Sequence, residues 1–163
     1  MALELNGTTG VSLVQDGVIT DANLPTGSVL QVVEKRLAAR QDVSGNAFTA
    51  TNLSQSITPS FTTSKILVTI HAPVQKENGN ASSGVQARIT VNGTPEYVTS
   101  SFFLWDNTTD YARGTLSIQY LHSPATTSST TYGLDICNNA SGVSVSIGFD
   151  GSASSLTLME IAG

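Results

Sequence analysis

The chain has 163 residues, enough for one domain that buries about two-thirds of its unfolded surface around a single core. Charged residues are only 12%, against a usual share of about 25%, while Ser and Thr together make up about a quarter of the chain. The formal net charge of -5 excludes a phosphate-tracking surface, which needs a concentrated Lys/Arg footprint, so nucleic acid is not an expected partner.

Hydroxyl and β-branched side chains suit pleated strands and tight turns, and long helical periodicity is nearly absent, so the composition points to an all-β fold. No apolar run approaches the ~20 residues of a membrane helix, and the start, Met1-Ala2-Leu3-Glu4, lacks the basic and apolar regions of an export signal. The expectation is a protein with no membrane partner. Cys137 stands alone, so the fold is held by packing and hydrogen bonds, with this thiol as a small buried group.

Taken in chain order, residues 1–27 read as an extended arm. Its β-like stretches are cut by Gly7, Gly10, Gly17, Pro25 and Gly27. Its apolar side chains, Leu3, Leu5, Val11, Leu13, Val14, Val18, Ile19 and Leu24, are too many to leave in water and too interrupted to cover one another. They are candidate contacts to a capsid or to a neighbouring subunit. The plainer alternative is that the segment completes its own sandwich.

From residue 28 the sequence predicts a β-sandwich to residue 163. A strand over 28–37 leads into a short helical turn over 37–40, where Lys35, Arg36 and Arg40 form the one basic cluster. That cluster is a solvated or ion-paired segment, or else a contact for an acidic partner. Further strands follow at 47–51, 55–58, 65–71, 84–91, 96–104, 113–122, 131–138, 143–149 and 156–161, separated by Gly, Pro, Asn and Ser. Alternation sets Ile66, Val68, Ile70, Leu116, Ile118 and Tyr120 inward, and Val143, Val145 and Ile147 inward with Ser144 and Ser146 in solvent. Asn92-Gly93 is the strongest hairpin turn, and Asp150-Gly151 a second. The apolar last strand reads as central, or as covered by another subunit.

Chemistry-bearing patterns are sparse. His71 and His122 each close an apolar strand and fall in no metal-ligand spacing, and there is no Gly-x-Ser-x-Gly elbow, phosphate loop or calcium loop. Asp106, Asp110 and Asp135 could pair for glycoside cleavage, but the first two sit in a turn where Asp caps backbone. The expectation is a non-enzymatic protein with no cofactor and no metal. Six Asn-x-Ser/Thr sequons, at Asn6, Asn52, Asn80, Asn92, Asn107 and Asn139, reflect composition rather than glycosylation. Phe102, Phe103, Trp105 and Tyr111 form an aromatic group. Within it Trp105 and Tyr111 are the candidate glycan-stacking or intersubunit contacts, with packing the plainer reading.

Four stretches carry a resemblance: Leu24-Pro-Thr-Gly-Ser-Val-Leu-Gln-Val-Val33, Ser56-Ile-Thr-Pro-Ser-Phe-Thr-Thr-Ser-Lys-Ile-Leu-Val68, Tyr120-Leu-His-Ser-Pro-Ala-Thr-Thr-Ser-Ser-Thr-Thr-Tyr132 and Ser155-Leu-Thr-Leu-Met-Glu-Ile161. Together they bracket residues 24–163. They resemble virion structural proteins of phages of aquatic bacteria, namely distal domains of tail fibres and small head decoration (cement) proteins. The resemblance implies a jelly-roll-like antiparallel β-sandwich that assembles as a homotrimer in the virion.

A fibre subunit carries a long shaft and a docking domain, whereas only about 25 residues precede the shared region here. The expected role is therefore a decoration protein on the capsid exterior, partnered by the major capsid protein or other virion proteins. The alternative is a receptor-binding fibre or spike tip that binds host surface glycan.

Overall fold

The computed structural model describes residues 24–77, 79, 82–98, 104–140 and 142–163. Among these, eleven strands run β1 (Val29–Leu37), β2 (Gln41–Ser44), β3 (Thr49–Ile57), β4 (Lys65–Lys76), β5 (Ser83–Val91), β6 (Thr94–Val98), β7 (Leu104–Asp106), β8 (Ala112–His122), β9 (Thr130–Asn138), β10 (Ser144–Ile147) and β11 (Ser154–Ile161). A 3-10 turn, Phe149–Gly151, lies between β10 and β11. Every pairing is antiparallel, and the strands form two sheets, β1-β11-β4-β10-β2 with β8 on β4, and β3-β9-β5-β6 with β7 on β5.

Several of these strands are consecutive pieces of one. β11 pairs residues 65–71 of β4 and β10 pairs residues 74–76, so the two lie end to end along the same side of β4. β1 and β2 line β11 and β10 in the same way, as β7 and β6 line β5. Each sheet is thus four strands wide.

Counted in chain order as eight composite strands, the first pairs the eighth (β1·β11), the second the seventh (β3·β9), the third the sixth (β4·β8) and the fourth the fifth (β5·β6). This is one long hairpin rolled into two sheets, the jelly-roll order. Its tip is the two-residue turn Asn92-Gly93, with φ of 50° and 80° between paired Val91 and Thr94, as a type I′ turn requires.

The core lies between the sheets and follows the expected alternation. Ile66, Val68, Ile70, Ala72 and Val74 of β4 are fully buried, facing Leu53, Val85, Ile89, Leu134 and Ile136 of the other sheet. Leu116, Ile118, Val145, Ile147, Leu156 and Leu158 complete it, and β11 is central between β1 and β4.

Pro73 interrupts β4 without breaking it. Its carbonyl accepts from Gly148 N at 3.0 Å, so its missing N–H points to the same side, where β10 has ended and β11 has not begun.

Several sequence expectations are corrected. Residues 38–40 form no helical turn; they are a bend that carries the edge from β1 into β2, a strand whose only apolar residue is Val43. The strands expected at 47–51 and 55–58 are one, β3, with a register irregularity between Ala50 and Ser54. The strand expected at 96–104 is β6 and β7, with residues 99–103 outside those described. His71 does not end its strand, which continues to Lys76.

Ser146 is buried rather than in solvent. It stands opposite Gln75 and Asp42, where Gln75 bonds Arg113 and Glu77, and Arg113 lies over the Phe149 ring, so long side chains crowd that corner.

Candidate interaction surfaces

Both ends of the core are closed by a buried charge on β-strand positions that face inward. At one end Glu160 of β11 accepts from Gln31 Nε2 and Ser60 N, each at 2.6 Å, and from Ser60 Oγ at 3.1 Å. Desolvation pushes this carboxyl up, and the hydrogen bonds from Gln31 and Ser60 outweigh it and hold the group below its ordinary range. At the other end the Lys76 ammonium donates to Asp106 Oδ2 at 3.0 Å and Thr108 O at 2.7 Å.

Asp106 in turn accepts from the Thr108 N–H and hydroxyl. Those bonds from Thr108, with that from Lys76, hold its carboxyl below the usual range. These groups close the sandwich; they leave no open carboxylate pair. Asp135, the third candidate acid, is bound by Arg88 at 2.8 Å on the outer face of the second sheet. Among the described residues no group of three His, Cys, Asp or Glu side chains is placed to hold a metal.

An aromatic series links the two sheets. Tyr97 of β6 stacks on Tyr120 of β8 (5.3 Å between centroids), Tyr120 on His122 (6.0 Å), and His122 meets the edge of buried Tyr132 (5.7 Å). His122 Nδ1 and Tyr132 Oη are 2.8 Å apart, and Tyr120 donates to Glu96. Burial, then Glu96, pushes the Tyr120 phenol up. The rings satisfy one another and serve packing.

The candidate contact residues fall in separate places. Of the arm set only Leu24 lies within the described residues, half-buried just ahead of β1; Leu3, Leu5, Val11, Leu13, Val14, Val18 and Ile19 lie outside them. The residues of the basic cluster do not share one face. Adjacent residues of a strand face opposite ways, so Lys35 turns inward between Val33 and Leu37 while Arg36 is exposed outside. Arg40 is held by Asp42 at 2.8 Å and by Glu77, which leaves it a structural ion pair.

Trp105 and Tyr111 are exposed, at 50% and 55%, while Phe102 and Phe103 lie outside the described residues. No family model matches the chain, and no curated protein does.

The outer faces of the two sheets differ in chemistry. That of the second sheet is polar, with Ser54, Ser56, Thr131, Gln86 and the Arg88–Asp135 pair, and Arg88 lies over the Phe48 ring at 4.6 Å. That of the first carries a line of apolar side chains at one register level. Val32 of β1 pairs Met159 of β11, Met159 pairs Leu67 of β4, and Leu67 pairs Leu121 of β8.

Val32 is 54% exposed and Leu121 51%, with Met159 and Leu67 half-buried between them. Val29, 50% exposed, and Ile161 extend the line at the next level, opposite Lys65. Sequence reading missed this line because its four members come from strands far apart in the chain. The signal was present only as outward Leu67 and Leu121 in two alternating strands.

Proposed function

We propose that this chain is a non-catalytic structural protein of a bacteriophage particle, a head decoration protein that assembles as a homotrimer on the capsid exterior. The observation that carries the reading is the four-residue apolar line, Val32, Met159, Leu67 and Leu121, on the outer face of a jelly-roll sheet whose two buried charges, Glu160 and Lys76, are spent on closing the fold. Such a face is a surface for packing against protein rather than for chemistry.

The four stretches similar to phage virion proteins support the same reading. Bridging subunits of a shell needs only contacts made by several copies at once, which add by multivalency. Cryo-electron microscopy of the intact particle tests it. Trimeric density at lattice positions over the head is expected; density confined to the tail, or none on the particle, would overturn it.

A second reading is favoured by one observation, the exposure of Trp105 and Tyr111. Aromatic faces in water stack on sugar rings, as a receptor-binding tip requires. On that reading the isolated protein binds host cells and blocks infection, and Trp105→Ala abolishes both effects.

A further inference from the structure

On its outer face the first sheet is apolar at one end and polar beyond it. Val29 and Ile161, opposite Lys65, lie at the end level, and Val32, Met159, Leu67 and Leu121 fill the next. Glu34, Thr157, Thr69 and Gln119 follow, then Arg36, Ser155, His71 and Ser117. We propose that two further copies of this chain cover the face, the three sheets forming the walls of a prism whose axis runs along the strands. Val32 of each copy then meets Leu121 of the next. The inference names the contact face of the homotrimer proposed above and rests on that part of the reading, not on where in the particle the trimer sits.

Rotation about an axis parallel to the strands keeps every residue at its own level. Apolar side chains therefore meet apolar ones along Val32, Met159, Leu67 and Leu121, and polar levels meet polar levels.

The width of the sheet fits three walls. Four strands, β1, β11, β4 and β8, span about 19 Å at the usual interstrand spacing. A triangle with sides of that length has its centre about 5.5 Å from each side, close to half of the ~10 Å at which sheets pack face to face. Met159 and Leu67, on the two middle strands, thus reach the axis and fill it. Val32 and Leu121, on the two outer strands, stand at the corners. They are the most exposed members of the line, at 54% and 51%, and the corner contact is what covers them.

The charges suit the same arrangement. Glu34 and Arg36 stand on β1, at a corner within reach of water, where they meet Gln119 and Ser117 of the next copy rather than a like charge. Lys65 lies at the open end of the prism. The middle of the two polar levels holds Thr157, Thr69, Ser155 and His71, whose hydroxyls and imidazole can hydrogen-bond one another.

Cross-linking of the full chain carrying Val32→Cys and Leu121→Cys tests the proposal. The two positions lie about 14 Å apart within one copy, three interstrand steps, so a shorter bismaleimide links them only between copies. Cys137 is buried and does not compete. The largest product expected on a denaturing gel is a covalent trimer. Co-expression of the two single variants should stop at covalent dimers, and either single variant alone should give none. A largest product of two copies from the double variant, a ladder beyond three, or cross-links from Val32→Cys alone would overturn the prism. No cross-link in a protein that light scattering measures as a trimer would overturn the inference and leave the homotrimer standing; a monomer would overturn both.

Leu67→Asp gives an independent measurement. It sets three carboxylates at the axis and should reduce the mass in solution from three copies to one, whereas Ser56→Asp, on the outer face of the second sheet, leaves three. A Leu67→Asp chain that stays trimeric would refute this contact face.

Discussion

The Glu160 carboxylate accepts two hydrogen bonds from Ser60, one from the backbone N–H at 2.6 Å and one from the hydroxyl at 3.1 Å. Gln31 completes the arrangement, donating from its side-chain amide to both Glu160 and Thr58 O. Residues 24–33, 56–68 and 155–161 therefore meet at one point, through Gln31, Ser60 and Glu160. Residues 120–132 close on themselves through Tyr120, His122 and Tyr132.

Removing the Glu160 carboxylate strands the donors of Gln31 and Ser60 at a buried site. Glu160→Ala is expected to cost about 2–4 kcal/mol in urea unfolding. The group's folded pKa lies below its ordinary 4.5, so its stabilising contribution is fully present above pH 4.5 and is lost as the pH falls through the lower folded value. Glu160→Gln should therefore be less stable than the parent at neutral pH and lose less on acidification. Parallel acid limbs for the two proteins would show that Glu160 is not linked to folding.

Gly84 is required by the approach of β7. A Cβ there would sit 2.0 Å from Leu104 O, a backbone atom that moves only if the strand moves. Gly84→Ala is expected to detach β7 from β5 and destabilise the protein by about 1–3 kcal/mol. The chain has one tryptophan, Trp105, paired opposite Gly84, so its fluorescence reports the same event. An unchanged emission spectrum and melting temperature would mean that β7 does not pack this way.

Much of this fold was legible before any coordinates. Period-two runs such as 66, 68, 70 and 116, 118, 120 fixed which face of a strand is buried, because burial on one face is what keeps such a pattern. Less legible were features set by partners. β2 has a single apolar residue and exists because β10 offers it a ladder, and Ser146 is buried between strand partners, Asp42 and Gln75, from elsewhere in the chain. The apolar line was hidden for the same reason, since no local window contains Val32, Leu67, Leu121 and Met159 together. Nor does sequence proximity show that Lys35 and Arg36 fall on opposite faces of a pleated strand while Arg40, in the bend after it, pairs with Asp42 and Glu77.

Cys137 is buried to within 1% of full cover, with its sulfur 3.6 Å from Gln86 Oε1. Burial pushes the thiol pKa up, against a smaller lowering by Arg88, so the reactive thiolate is scarce at neutral pH. A disulfide reagent such as Ellman's should label the native protein only at the rate of its opening, and label it at once in denaturant. Fast labelling of the folded chain would place Cys137 in solvent.

The rolled hairpin predicts where folding is sensitive. Its tip, Asn92-Gly93, joins the one pair of composite strands that meet across a two-residue loop, while every other pairing closes a much longer loop at greater entropic cost. The tip is also tied to β9, since Asn92 N donates to Thr131 O at 2.8 Å and Thr131 N to Asn92 Oδ1 at 2.9 Å. Gly93→Val forces a β-branched residue to φ near +80° and should destabilise the protein by about 1–3 kcal/mol. If the local hairpin forms before the outer pairs close, that cost falls on the refolding rate, at about tenfold per 1.4 kcal/mol, and leaves the unfolding rate nearly unchanged. Stopped-flow refolding and unfolding in urea separate the two. A change confined to the unfolding limb would show that the jelly roll begins from its long-range pairs, with the tip formed last.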